Sequence, residues 1–304
     1  MEKIEFGGWP NCIRLSNGTI ELIITTDIGP RIIRCGFINK KNLFYVSEED
    51  KGKTGGSAWR IYGGHRLWHA PEVMPRSYFP DNNRVDYSWN GKTLFLRQET
   101  ESTTGILKEI EITLDPHNNH ISVMHRLINK NLWAIEAAPW AITAHAAGGT
   151  AILPQEPYID PAACLLPARP IVLWHYTQMK DPRWLWGNRY IRIKQDSTLK
   201  TEQKIGTLNK QEWMAYNIDK YLMIKYFDYD PHAHYTDYGC NNEVYVNEHL
   251  LETETLGPMH KIQPEHATEH TEHWLLHELD DPLETRSESV LDKVLQPVVK
   301  TFDH

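Results

Sequence analysis

Residues 239–276 read GCNNEVYVNEHLLETETLGPMHKIQPEHATEHTEHWLL. Inside this stretch, Leu251-Glu252-Thr253-Glu254-Thr255-Leu256 sets two carboxylates two positions apart. In a strand, residues two apart project to the same face, roughly 6.5–7 Å from each other along the chain. An acidic pair on one face of an interior strand costs desolvation energy unless it faces a cleft or finds partners. Gly257-Pro258 marks a turn, a polar connection runs through Pro264, and a second strand-like run ends at Trp274-Leu-Leu. The two runs read as a hairpin, and as the first candidate for a functional site.

Working outward, the same strand rhythm recurs. Cys12 to Leu15, the turn Asn17-Gly18 and Thr19 to Thr25 read as a hairpin, because Asn-Gly supplies the positive φ angles of a tight turn. Arg31 to Phe37 and Asn42 to Val46 continue it. From residue 85 to 128, alternating runs broken by Asn90-Gly91 and by Asp115-Pro-His-Asn-Asn predict an antiparallel meander. Tyr190 to Lys194, Trp213 to Tyr216 and Tyr221 to Phe227 are further strands, and 154–188 is a Pro- and Trp-rich excursion. Ser287 to Val299 reads as one short helix with Pro297 near its end. Without a repeat or a linker, the 304 residues are expected to form one large all-β domain spanning 1–304.

The segment from Trp59 to Glu72, WRIYGGHRLWHAPE, concentrates two Gly, two His, two Arg and two Trp. Gly63-Gly64 permits backbone angles closed to other residues and Ala70-Pro71 favours an extended exit. The segment is expected to be a binding loop.

Composition narrows the partners. A formal charge of −8 argues against nucleic acid and anionic membrane. No apolar run approaches the length that spans a bilayer, and the N-terminus Met-Glu-Lys-Ile-Glu-Phe lacks the pattern of a signal peptide. Four scattered cysteines without a CxxC read as free thiols. A cytoplasmic location is expected. Trp and Tyr (11 and 14) outnumber Phe (7), and rings with a flat apolar face and a polar edge suit a carbohydrate's C–H faces and hydroxyls. A small-molecule sugar is the expected partner, with no cofactor.

His266-Ala-Thr-Glu269-His270 matches a zinc-protease signature, H-x-x-E-H, which needs both His on one helix face. Pro264 just before it and the strand-like run through Trp274 put it in the wrong context. His232-Ala-His234, flanked by Asp228, Asp230 and Asp237, reads as a solvated turn, so no metal is expected. Glu252 and Glu254 on one strand point the same way, which does not suit a glycosidase pair flanking a bond. A Glu with a tuned pKa working with a His from another strand is the better acid–base arrangement. His145, just before Gly148-Gly149, and His65, just after Gly63-Gly64, are the best placed.

These residues resemble the galactose mutarotase-like superfamily, which includes aldose 1-epimerases. Its C-terminal Leu-Glu stretch, proline-bearing loop and Thr-rich last strand are similar to Leu251-Glu252-Thr253-Glu254, Leu256-Gly-Pro258, Ile262-Gln-Pro-Glu265 and Glu269 to Trp274. The resemblance implies a supersandwich of large antiparallel sheets. It places Glu252 at the general base and His145 at the general acid, although Ala144 stands where the family has Asn. His65 resembles the His of the substrate loop, with its glycines before it rather than after, and Arg60 or Arg66 would bind substrate. Trp68, Glu72 and Glu254, with Arg183 and Trp184 from Asp181-Pro-Arg-Trp, complete the expected substrate-binding set. The motifs around Gly64 to Glu72 and Asp181 to Trp184 look like those of an uncharacterised branch. The expected activity is aldose 1-epimerase-type interconversion of anomers, with Glu252 and a distant imidazole meeting across a ring-lined hollow. A non-catalytic sugar-binding protein, or a polysaccharide lyase or hydrolase on the same scaffold, are the alternatives.

Overall fold

The alternating runs form strands, and the strands assemble into two large antiparallel sheets. The computed structural model describes residues 1–300; the last four residues of the expected 1–304 domain lie outside the described residues. The first sheet runs, neighbour to neighbour, through Glu2–Phe6, Trp9–Ser16, Ile20–Thr25, Arg31–Phe37, Gly64–Ala70, Ile135–His145, Leu251–Leu256, Asn242–Val246, Gln203–Thr207 and Ile171–Leu173, and His260–Ile262 pairs with the start of Ile135–His145. The second sheet runs through Trp184–Trp186, Tyr190–Lys194, Thr150–Pro154, Trp213–Ile218, Tyr221–Phe227, Ala267–Glu278, His120–Asn129, Ile106–Leu114, Thr93–Arg97 and Asp86–Trp89. The last four are the expected meander.

The core lies between the sheets. Leu22, Ile32 and Leu67 of the first meet Ile112, Val123, Met214 and Trp274 of the second in one continuous apolar cluster. Fully burying one such side chain stabilises by about 1.5–3 kcal/mol. Opposite-parity residues of the second sheet, among them Ile152, Trp213, Leu222 and Ile224, face outward and are covered by the helix Glu288–Val299 through Leu291 and Leu295. Those leucines are four apart and so share a helix face. Ser287 caps the helix by accepting a hydrogen bond from the Val290 amide. The first sheet's outer face has no such helix. It carries instead an aromatic cluster of Trp59, Trp68, Tyr78 and Trp140. No helix among the described residues is long and apolar enough to cross a membrane, and all four cysteines are free.

Three expectations are corrected. Leu251–Leu256 and Ala267–Glu278 are not a hairpin. They belong to different sheets, and residues 257–266 carry the chain from one to the other. The expected binding loop is largely a strand, Gly64–Ala70, buried in the middle of the first sheet. The glycines at its start are what admit it there. Gly63 and Gly64 have φ of +104° and +69°, and a Cβ would sit 2.1 Å from the Tyr45 carbonyl oxygen or 2.2 Å from that of Ile32. Finally, 42–46 joins no sheet as a strand and pairs only at Phe44 with His145 and at Val46 with Gly63.

Candidate active site

Register decides which side chains meet. Ile135–His145 pairs with Gly64–Ala70 on one side and Leu251–Leu256 on the other. Ala144 lies opposite both Gly64 and Glu252, and Tyr245 and Lys204 continue that row on the next two strands. Ile142 lies between Arg66 and Glu254, and Trp140 between Trp68 and Leu256. Paired residues share a face, so these rows all open on the outer side of the first sheet. There they floor a cleft of about 520 Å³, a size suited to a small molecule.

The cleft contains two sandwiched cations. Arg66 lies with its guanidinium carbon 4.7 Å from the Trp68 ring centroid and 5.4 Å from that of Trp59. Its Nη2 donates to Glu252 Oε1 at 3.4 Å. Lys204 Nζ lies 4.8 and 4.9 Å from the Trp140 and Trp174 ring centroids. It reaches Glu243 Oε2 at 2.7 Å and Glu254 Oε2 at 2.9 Å. Trp140 Nε1 also donates to Glu254 Oε2 at 2.8 Å. One ammonium serving two buried carboxylates raises Lys204 well above its usual range once its attraction to Glu243 and Glu254 outweighs burial. Burial drives Glu243 well above the carboxylate range, against the pull of Lys204.

Glu252 is the group with chemistry to offer. It is 8 % exposed, at the cleft surface. Burial pushes its carboxyl up to about 7; Arg66 opposes that rise, and the neighbouring charge of Glu254 adds to it. Burial also lowers the Arg66 guanidinium, which still stays charged because its intrinsic pKa is so high. A carboxyl that titrates near neutrality can take up and return a proton at physiological pH. Aromatic walls, formed by Trp59, Trp68, Tyr78, Trp174 and Tyr176, surround it. At the rim, Tyr78 Oη donates to Glu72, and Tyr245 Oη donates to Glu202 Oε1 at 2.8 Å.

Of the expected site residues, Glu252, Glu254, Arg66, Trp68 and Glu72 line this cleft. The others do not reach it. His145 pairs with Leu251, one position out of phase with Glu252, so its ring enters the space between the sheets. It is 0 % exposed, stacks on Tyr216 at 3.9 Å and shares a 2.7 Å hydrogen bond with Thr253 Oγ1. His65 pairs with Thr143 and also turns inward. The expected meeting of Glu252 with either imidazole across one hollow therefore does not occur. Arg60 donates to the Gly55 carbonyl at 2.7 Å and to Tyr62 Oη at 3.0 Å, in the loop ahead of the cleft strand. Arg183 grips Asp181 through two 2.9 Å bonds and lines a separate cavity with Leu185 and Arg286. Trp184 is part of the core and donates to Gln203.

Sequence reasoning missed Lys204, Trp140, Trp174, Tyr245 and Glu202, which come from separate segments with no common motif. It also missed His249, the imidazole that lines the cleft from the turn before Leu251. The turn pattern Asn247-Glu-His-Leu250, directly preceding the acidic strand, was the available signal.

His65 and a second buried imidazole, His125, form a closed network. His125 Nδ1 donates to the His270 carbonyl at 2.8 Å, leaving its Nε2 to accept from His65 Nε2 at 2.6 Å. His65 Nδ1 then accepts from Thr143 Oγ1 at 2.8 Å. His65, His125 and Glu272 offer donor atoms within 4.8 Å of one another. Both ring nitrogens of His65 and of His125 are engaged, however, and Lys225 Nζ holds Glu272 at 2.7 Å, so the set is already satisfied by hydrogen bonds and an ion pair. The H-x-x-E-H stretch runs into the strand Ala267–Glu278, with His266 exposed and His270 buried. It does not have the helix that a zinc protease requires.

No protein-family model matches the chain, and no curated protein matches it. Solved structures do. A galactose mutarotase-like protein from Lactobacillus casei aligns with a TM-score of 0.57 at 9 % identity, over 88 % of this chain and 100 % of the other. A galactose mutarotase related enzyme from Lactobacillus acidophilus aligns with 0.53 at 9 %, over 89 % and 99 %. A galactose mutarotase-like protein from Clostridium acetobutylicum aligns with 0.51 at 9 %, over 88 % and 95 %. The chain therefore has the galactose mutarotase-like fold, an all-β supersandwich. At this identity the likeness defines the fold, and function must be argued from the site.

Proposed function

We propose that the cleft binds a sugar and that Glu252 exchanges a proton with it, in aldose 1-epimerase-type chemistry. The observation that carries this reading is the placement of the Glu252 carboxyl, which burial pushes up to about 7, at the surface of an aromatic-walled cleft of about 520 Å³. Aromatic faces stack on the C–H faces of a pyranose, while the exposed carboxylates Glu72 and Glu202 are available to its hydroxyls. Glu252 in its ionised form takes the proton of the anomeric hydroxyl. A donor on the cleft protonates the ring oxygen, the ring opens, the C1–C2 bond turns, and the roles reverse. His145 and His65 are withdrawn from the cleft, so we assign the donor to His249, the imidazole that lines it. Magnetisation-exchange NMR on a panel of aldoses tests the reading: enzyme-dependent anomer exchange, abolished in Glu252→Gln, is expected. Rates equal to those in buffer would remove it.

The inward turn of both expected histidines favours one second reading, a sugar-binding protein without turnover. Ligand-dependent thermal stabilisation without anomer exchange is its signature.

A further inference from the structure

The charge in the cleft bears on which sugars it accepts, an inference that rests on the sugar-binding reading above. The lining carries four carboxylates, Glu72, Glu202, Glu252 and Glu254, against Arg66 and Lys204 and the imidazole of His249. Neither fixed cation is free. Arg66 is paired with Glu252, and Lys204 with both Glu243 and Glu254. Their faces are also covered, since each lies against two Trp rings. Glu72 and Glu202 are exposed and, among the described residues, are held by tyrosine hydroxyls rather than by cations. An incoming phosphate or carboxylate would find no unpaired fixed positive charge and would face several negative ones.

A second observation points to a ligand that donates a hydrogen bond to Glu254 and accepts one from Arg66. Glu254, 1 % exposed on the cleft floor, leaves Oε1 without a partner, and Arg66 leaves Nε without one. Buried polar atoms in folded proteins are nearly always satisfied. The charges also act on one region: burial raises the Tyr176 hydroxyl at the cleft wall, Lys204 opposes that rise, and Glu254, Glu72 and Glu202 add to it.

We infer that the cleft selects sugars bearing an amine, with the ammonium held by the rim carboxylates Glu72 and Glu202, and rejects phosphorylated and uronic sugars. Opposite charges in contact at a protein surface attract more strongly than in bulk water, and a preference on the order of tenfold or more is the expected result.

The test is a binding series on the full chain, read by the fluorescence of the cleft tryptophans. The probes are D-glucose and D-galactose, their 2-amino derivatives, their 6-phosphates and their uronates, at low and at high salt. Amino sugars are expected to bind at least about tenfold more tightly than the parent hexoses, with the anionic sugars weakest and the preference shrinking in salt. In Glu72→Gln/Glu202→Gln, the ratio of the two dissociation constants is expected to fall towards one. A phosphate or uronate binding as well as its parent hexose would overturn the inference while leaving the sugar reading intact. An amine preference that survives in the double variant, or no preference at all, would do the same. Binding of none of these sugars would end both.

Discussion

Glu252 and His145 sit on adjacent strands of one sheet and point away from each other. Ala144 lies opposite Glu252, and His145, one residue further, pairs with Leu251 and enters the sheet interface. This single offset puts the carboxylate on the cleft side and the imidazole in the core. The Ala144 methyl, meanwhile, leaves the row beside Glu252 without bulk.

If Glu252 is the proton acceptor, it must be ionised to act. Burial pushes it up to about 7, which makes anomer exchange rise with pH through neutrality until the assigned donor, His249, loses its proton. Glu252→Gln is expected to cost about 10²–10⁴-fold in rate and to erase the rising limb. A pH profile of exchange rates in both proteins checks this; an unchanged limb in the variant would assign it to another group.

His145 contributes to folding. His145→Ala removes a ring stacked on Tyr216 and set edge-on to Phe44, and it leaves Thr253 Oγ1 without that partner. A stability loss of about 2–4 kcal/mol is expected. The folded variant should keep its activity within about threefold of the parent. Urea denaturation alongside exchange kinetics separates the two effects. A large activity loss at full stability would return His145 to the chemistry.

Lys204 neutralises buried charge. Lys204→Met leaves Glu254 and Glu243 facing each other across paired strands without their ammonium. Removing one partner of a buried ion pair costs about 3–5 kcal/mol. Adding Glu254→Gln should recover part of that loss, because the two residues act as a unit. Denaturation of the three variants measures the coupling, and strictly additive losses would contradict it.

The interior histidines make the fold acid-sensitive. Burial lowers His65, His125, His145 and His270, the last to about 3. Lys225 pushes all four further down. Neighbouring imidazoles do the same to His65 and His270, while Glu272 opposes the fall at His125 and His270. With folded values below the unfolded value near 6.5, the unfolded chain binds more protons in that interval. Stability is therefore complete above about pH 6.5 and falls as pH drops, by up to about 1.4 kcal/mol per pH unit per histidine. Unfolding free energies measured from pH 8 to pH 4 should show a slope set by several groups. A flat profile would mean that these rings are already charged in the fold.

Much of the architecture was legible in local pattern. The four-stranded meander from Asp86 to Asn129, the hairpin at Asn17-Gly18 and the helix capped by Ser287 follow from alternation, turn chemistry and capping. So does the shared face of Glu252 and Glu254, since a strand's period of two places residues two apart on one side whatever surrounds it.

Only the tertiary structure decided which side that was. Period two states which side chains point together, but not whether they point at a cleft or at a second sheet, and a shift of one residue exchanges the two. That is why the sequence could nominate Glu252 and His145 alike, while the pairing of Ala144 with Glu252 separated them. The crossing at 257–266 and the gathering of Trp140, Trp174, Lys204 and Tyr245 around Glu252 depend on contacts between residues far apart in the chain. Such contacts come from the stacking of whole sheets, and no local run of residues encodes them.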